Sequence, residues 1–209
     1  MTDLLEAKIV KEIQKTSSKN YLFICKALKE LQNSSITVKL FESSTTDDGC
    51  SGYFDDEKKL LAISTERPCK SFVEIFAHEY CHYIQWKNNT KIWQSSFTAI
   101  DYLDPFYHGK NVSKSIRAIQ RLERDCERRV LKLIEKNIVE LNYEDYVRGA
   151  NCYIAFHDII ELTRSWYKNP SLHSDALRGL VPGNKLIKDI NCLGPLKHKF
   201  IVECIKKVY

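Results

Sequence analysis

His78-Glu79-Tyr80-Cys81-His82 constrains this chain more than any other stretch. It reads H-E-x-x-H, and on a helix residues four apart lie on one face. Two imidazoles so placed can bind one Zn²⁺ together, and the glutamate between them can take a proton from a water that the ion activates. That set of parts hydrolyses amide bonds. The setting supports a helix. Phe72, Val73, Ile75, Phe76 and Ala77 precede the motif, and Tyr83, Ile84 and Trp86 follow it. No Gly or Pro falls between Ser71 and Asn88. Ser71 or Thr65 offers an N-cap, with Pro68 just before the helix. The bland alternative is a pair of core histidines hydrogen-bonded to the backbone.

A catalytic zinc needs a third protein ligand and leaves its fourth position to water. Residues 113–135 supply candidates. Ile116, Ile119, Cys126, Val130 and Ile134 recur at helical spacing and define an apolar stripe. At about 100° per residue, Glu123 falls at the centre of the stripe and Glu127 within roughly 40° of it. Asp125 points to the opposite face, with Arg121, Arg128 and Lys132. A carboxylate inside an apolar stripe is costly to bury unless its charge is compensated, and a metal ion would compensate it. Glu123 is the expected third ligand. Glu127 is expected to accept the outer N–H of a ligating histidine. The periodicity leaves open an exchange of these two roles, and a pairing of both glutamates with arginines.

His78-Glu79-x-x-His82 followed by Glu123-Arg124-Asp125-Cys126-Glu127 resembles the gluzincin metallopeptidases. The pattern is most similar to the ImmA/IrrE type, whose second motif runs E-x-x-A-(D/N). Cys126 stands here for the small Ala and Glu127 for the Asp or Asn. The chain is also similar to small metallopeptidase-like proteins encoded by bacteriophages. The resemblance covers roughly residues 50–135. It implies a zincin-like fold, one Zn²⁺ held by His78, His82 and Glu123, and regulatory cleavage of one protein partner.

With 209 residues, one domain with its own core is expected. The eight cysteines are scattered without a C-x-x-C pair, which suits a reducing, cytoplasmic compartment. The N-terminus has no basic region with a long apolar run, so no signal peptide is expected. No stretch approaches the roughly 20 apolar residues of a membrane span. Net charge is +5. Lys114, Arg117, Arg121, Arg124, Arg128 and Lys132 form a basic stripe, read as a solvated face. The alternative is a docking surface for nucleic acid or an acidic partner.

Around these motifs the chain reads as mostly helical α+β, with a small antiparallel or mixed sheet beside the H-E-x-x-H helix. Residues 4–15 and 20–32 read as helices, and 36–41, 52–54 and 59–64 as strands. Leu60–Ser64 is the candidate edge strand for pairing with extended substrate. Residues 89–112 read as an irregular, aromatic-rich lid in which His108 is a further possible ligand. Residues 144–167 read as a helix with Cys152, Ala155, Ile159, Leu162 and Trp166 in its core stripe. Tyr153, His157 and Arg164 share another face, where a hydroxyl, an imidazole and a guanidinium on one line could stabilise an oxyanion; the alternative is polar residues packed at a helix–helix contact. A final helix is expected from Lys197 to Lys207.

The reading that follows is an intracellular zinc peptidase acting on a protein or peptide, with Glu79 as general base and Tyr153 and His157 assisting. Its rivals are a non-catalytic zinc-stabilised binding protein and a nucleic-acid-associated protein that uses the basic stripe.

Overall fold

Ser71 and Glu74 start the helix that carries both histidines. The Glu74 amide donates to the Ser71 hydroxyl at 3.2 Å, and the Ser71 amide donates back to the Glu74 carboxylate at 2.6 Å. This reciprocal pair satisfies two of the amides that a helix start leaves without partners. Ser71 is therefore the cap, and Thr65 belongs to the turn after a strand.

The computed structural model describes residues 16–66, 71–96, 111–166 and 174–208. Along it come α1 (Ser18–Asn33), β1 (Thr37–Phe41), β2 (Gly52–Asp55), β3 (Leu60–Ser64) and α2 (Phe72–Lys87). Next are the short α3 (Lys91–Ser96), the long α4 (Val112–Glu135) and α5 (Tyr143–Thr163). A short α6 (Asp175–Arg178), a 3-10 segment (Ile190–Leu196) and α7 (Lys197–Val208) follow. The protein is mostly helical α+β with a three-stranded mixed sheet. No helix of the described residues is long and apolar enough to cross a membrane. The described cysteines are free thiols. The first expected helix (4–15), Cys69, and most of the expected lid with His108 lie outside the described residues. The described part of the lid includes α3, where an irregular segment was expected.

The chain divides into two compact units. One holds residues up to Asn88 together with Arg129–Leu141; the other holds Asn89–Arg128 and Asn142–Tyr209.

In the first unit the strand order is β1-β3-β2, with β1 parallel and β2 antiparallel to β3. Val38 stands opposite Leu61, and Tyr53 opposite Ala62. The expectation that Leu60–Ser64 forms an edge is corrected: β3 is the central strand and β2 an edge. The reason is legible in its residues. Leu61, Ala62 and Ile63 are all fully buried, and an unbroken apolar run belongs to a strand covered on both faces. The sheet packs on α2, and α1 packs on α2 through Phe23, whose ring stands edge-on to Phe76 and Tyr80. Glu30 of α1 accepts from the Tyr80 hydroxyl at 2.6 Å and from the Lys87 ammonium at 2.7 Å. Burial opposes ionisation of Glu30, but the hydrogen bonds from Lys87 and Tyr80 prevail and hold its carboxyl below the usual range. The helix with the motif is thus pinned along one side by α1 and along another by the sheet.

In the second unit α5 forms the spine. Ile154, Ala155, Phe156, Ile159 and Ile160 are fully buried, and Phe200 and Cys204 of α7 join the same cluster. Asn151, also fully buried, donates to the carbonyls of Pro182 and Lys185 and accepts from the Ile187 amide. One side chain so holds a loop that has few backbone bonds of its own. Two expectations for α5 need correction. The helix ends at Thr163, because Arg164 caps it in the left-handed region (φ 54°) with its amide on the Ile160 carbonyl. Leu162 is 68% exposed and lies outside the core. Trp166, beyond the helix end, packs edge-on against Phe156 and Tyr153.

Candidate metal centre

On α2 the two histidines converge. Their Nε2 atoms lie 3.1 Å apart, and the rings meet at 78°. Two nitrogens bound to one tetrahedral zinc at about 2.0–2.1 Å each would stand about 3.3 Å apart. The pair therefore fits a shared metal ion. His82 is buried, and its Nδ1 lies 2.8 Å from the side-chain oxygen of Gln85. That oxygen only accepts, so Nδ1 carries the hydrogen and Nε2 keeps its lone pair on the side that faces His78. Gln85 thus supplies a side-chain acceptor for the outer N–H of His82. Gln85 escaped the sequence reading. An amide three residues after a histidine, on a helix with no other reason to bury one, was its signal; Gln85 is fully buried.

Glu79 is 6% exposed. It stands where β2 comes closest to α2. A Cβ on Gly52 would lie 3.0 Å from Glu79 Cγ and 2.7 Å from Ile75 Cγ2. Only a residue without a side chain lets the strand approach this far. Cys50, two residues before, hydrogen-bonds to Thr46 and to the Gly52 carbonyl. Burial pushes its thiol up against the Thr46 hydrogen bond, and the Glu79 charge adds to the rise. The thiol form of Cys50 is favoured over the thiolate as a result. Gly52→Ala should destabilise the protein by about 1–3 kcal/mol, the usual cost of overpacking. Denaturant unfolding measures it, and an unchanged midpoint would mean that β2 does not press on α2.

On α4, Glu123 (8% exposed), Cys126 (0%) and Glu127 (2%) are buried, so the inward face expected of the two glutamates is what the helix presents. Arg121 and Arg128 are exposed, and Asp125 is half-buried rather than fully outward. The Tyr146 hydroxyl of α5 donates to the Glu127 carboxylate. Of the basic stripe, Lys114, Arg121, Arg128 and Lys132 are exposed, whereas Arg117 is paired with Asp158 at 3.1 Å.

Tyr153 and His157 come together one turn apart on α5, ring centroids 4.9 Å apart. Arg164, expected on the same line, is taken off it by its left-handed backbone. His157 Nδ1 donates to the Tyr153 carbonyl at 2.9 Å, so the neutral ring has a lone pair and no hydrogen at Nε2. Burial lowers its pKa, against the opposing charge of Glu123. A neutral His157 thus presents an acceptor rather than a donor at Nε2.

Comparison with models of known protein families, with characterised proteins and with solved structures finds no match to this chain.

Proposed function

We propose that this chain is a zinc-dependent peptidase that cleaves a protein or peptide partner. The observation that carries the reading is the convergence of the His78 and His82 Nε2 atoms at 3.1 Å with the intact Glu79 between them. His78 and His82 would hold the metal, and Gln85 would fix the tautomer of His82. The third ligand proposed is Glu123. Cys126 and Glu127, on the same buried face, are the donors with which it must be compared. When bound, zinc polarises the scissile carbonyl and acidifies the attacking water.

The chain's own residues do the rest. Glu79 accepts the proton of the attacking water and passes it to the leaving amine, so one carboxylate serves as base and then as acid. Its burial strips competing water from it. Tyr153 is the proposed hydrogen-bond donor to the oxyanion, with His157 packed against its ring. The edge strand β2, which touches α2 at Glu79, is the proposed surface for an extended substrate.

The reading is tested by comparing new protein termini in cells that make the wild type and cells that make Glu79→Gln. Identical sets of termini would overturn it. The ligand assignment has its own test. Glu123→Gln should weaken zinc by more than either Cys126→Ser or Glu127→Gln in a chelator competition. A larger loss at Cys126 or Glu127 would reassign the third ligand to that residue.

A further inference from the structure

The basic side chains of α4 do not share one fate. Arg117 is engaged by two carboxylates, at 3.1 Å from Asp158 and 3.7 Å from Glu161. Lys114, Arg121 and Arg128 are exposed, and Arg124 is half-buried. Among the described residues no carboxylate pairs with any of these four. Spaced by seven, Lys114, Arg121 and Arg128 fall within about 40° of one another on the helix, and Arg124 lies on the flank of their line. The line runs about 21 Å from Lys114 to Arg128 at 1.5 Å per residue. The carboxylates of this stretch do not neutralise it. Glu123 and Glu127 are buried on the inward face, and Asp125 is half-buried and engaged within the chain.

The expectation of a plain solvated face meets an exception at Arg124. A solvated arginine carries its head into water, where each donor finds an acceptor. The Nε of Arg124 is buried and has no acceptor among the described residues. Burial, and after it the charge of Arg128, disfavour the charged guanidinium, against weaker support from Cys192 and Asp189. The Asp189 carboxylate caps the 3-10 segment, accepting from the Asn191 amide at 2.9 Å. Arginine is not deprotonated in proteins, so Arg124 keeps its charge and its unmatched donor. Arg124 and Arg128, four residues apart, also repel as like charges on one helix. The chain gathers these cations at a cost that an anionic partner would offset.

The partner must present negative charge along a line rather than at a point. Duplex DNA carries one charge per about 1.7 Å of its axis, roughly a dozen over this length. Arginine matches phosphate through its planar fork, with two parallel hydrogen bonds. The line holds no aromatic side chain on which the bases of a single strand could stack. Between Val112 and Arg128 no large apolar side chain is exposed to enter a bilayer. The major groove of B-form DNA admits a helix, whereas that of duplex RNA is too narrow.

We propose that Lys114, Arg121, Arg124 and Arg128 dock double-stranded DNA through its phosphates, without reading its sequence. The three arginines supply the forks, and Lys114 adds a point charge at the start of the helix.

The test follows a fluorescein-labelled DNA duplex of about 20 base pairs binding to the full-length protein by fluorescence anisotropy, between about 50 and 200 mM salt. Log affinity should fall linearly with log salt, with a slope of about −3 to −4 for four phosphates. Arg121→Gln with Arg128→Gln changes two exposed positions only, so its fold is kept. It should make the slope shallower by about two and weaken binding at the lowest salt at least about tenfold. Adding Arg124→Gln should make the slope shallower by about one more. Lys26→Gln with Lys29→Gln removes the same charge from exposed positions of α1 and should bind like the wild type. A single strand of equal length, an RNA duplex and polyglutamate should each bind more weakly than the DNA duplex. No duplex binding at the lowest salt, an unchanged slope in the arginine variants, or an equal loss in the α1 variant would overturn the proposal. So would equal or tighter binding of RNA, single strand or polyglutamate. The proposal does not depend on the peptidase reading, and zinc content and cleavage play no part in its test.

Discussion

Purified protein should carry about one zinc per chain, and His78→Ala or His82→Ala should leave it without tightly bound metal. The physical basis is local to α2. Two Nε2 atoms already stand at nearly the separation of two zinc ligands. A metal entering there pays little to bring them together, because the helix has fixed both backbones and the Ser71–Glu74 capping box has fixed the helix. Removing either ring leaves too few donors to hold zinc against buffer and water. His78 is the cleaner variant, since it is half-buried whereas His82 is buried and its loss strands the Gln85 amide. Gln85→Ala should keep the metal but bind it roughly 10–100-fold more weakly, the usual cost of losing the group that orients a ligand histidine. Elemental analysis of folded samples decides the matter. Full zinc in either histidine variant would show that the pair is only a buried contact between two rings.

Glu79→Gln should retain fold and zinc and lose at least about 10²-fold in cleavage of the natural substrate. Glu79 follows the first histidine by one residue, so about 100° of helix separates it from the line that His78 and His82 share. It is thus not needed to grip the ion. The substitution keeps the volume that packs against Gly52 and much of the hydrogen bonding, and it removes the base. Matched zinc content in the two proteins makes the comparison fair. The ratio is read from cleavage rates once the comparison of cellular termini has named a substrate. If Glu79→Gln cleaves as fast as wild type, the glutamate is structural and the zinc-stabilised binding protein becomes the better account.

Much of this site was legible in the chain because it rests on spacing inside single helices. A separation of four residues puts His78 and His82 on one face whatever surrounds them. The period of the 112–135 helix turned Glu123 and Glu127 inward before any packing was known, and the buried positions agree. The same holds for the capping serine and for the final helix, whose ends are set by neighbours in sequence. Sheet order was not settled this way. The unbroken Leu60–Ile63 run was a signal for a central strand, but which strands flank it depends on pairings between distant segments.

The folded structure decided the remaining points, some of them through rotamers within one helix. Gln85 became the partner of His82 through a side-chain rotamer that periodicity does not specify. His157 became an acceptor because its other nitrogen met the Tyr153 carbonyl. Arg164 left the α5 line because one residue turned left-handed, and Leu162 was carried out of the core just before that turn. Local geometry is covalent and repeats with the helix, so the sequence determined which groups share a face. What each group touches depends on rotamers and on chain closure over long separations, and only the folded structure could decide it.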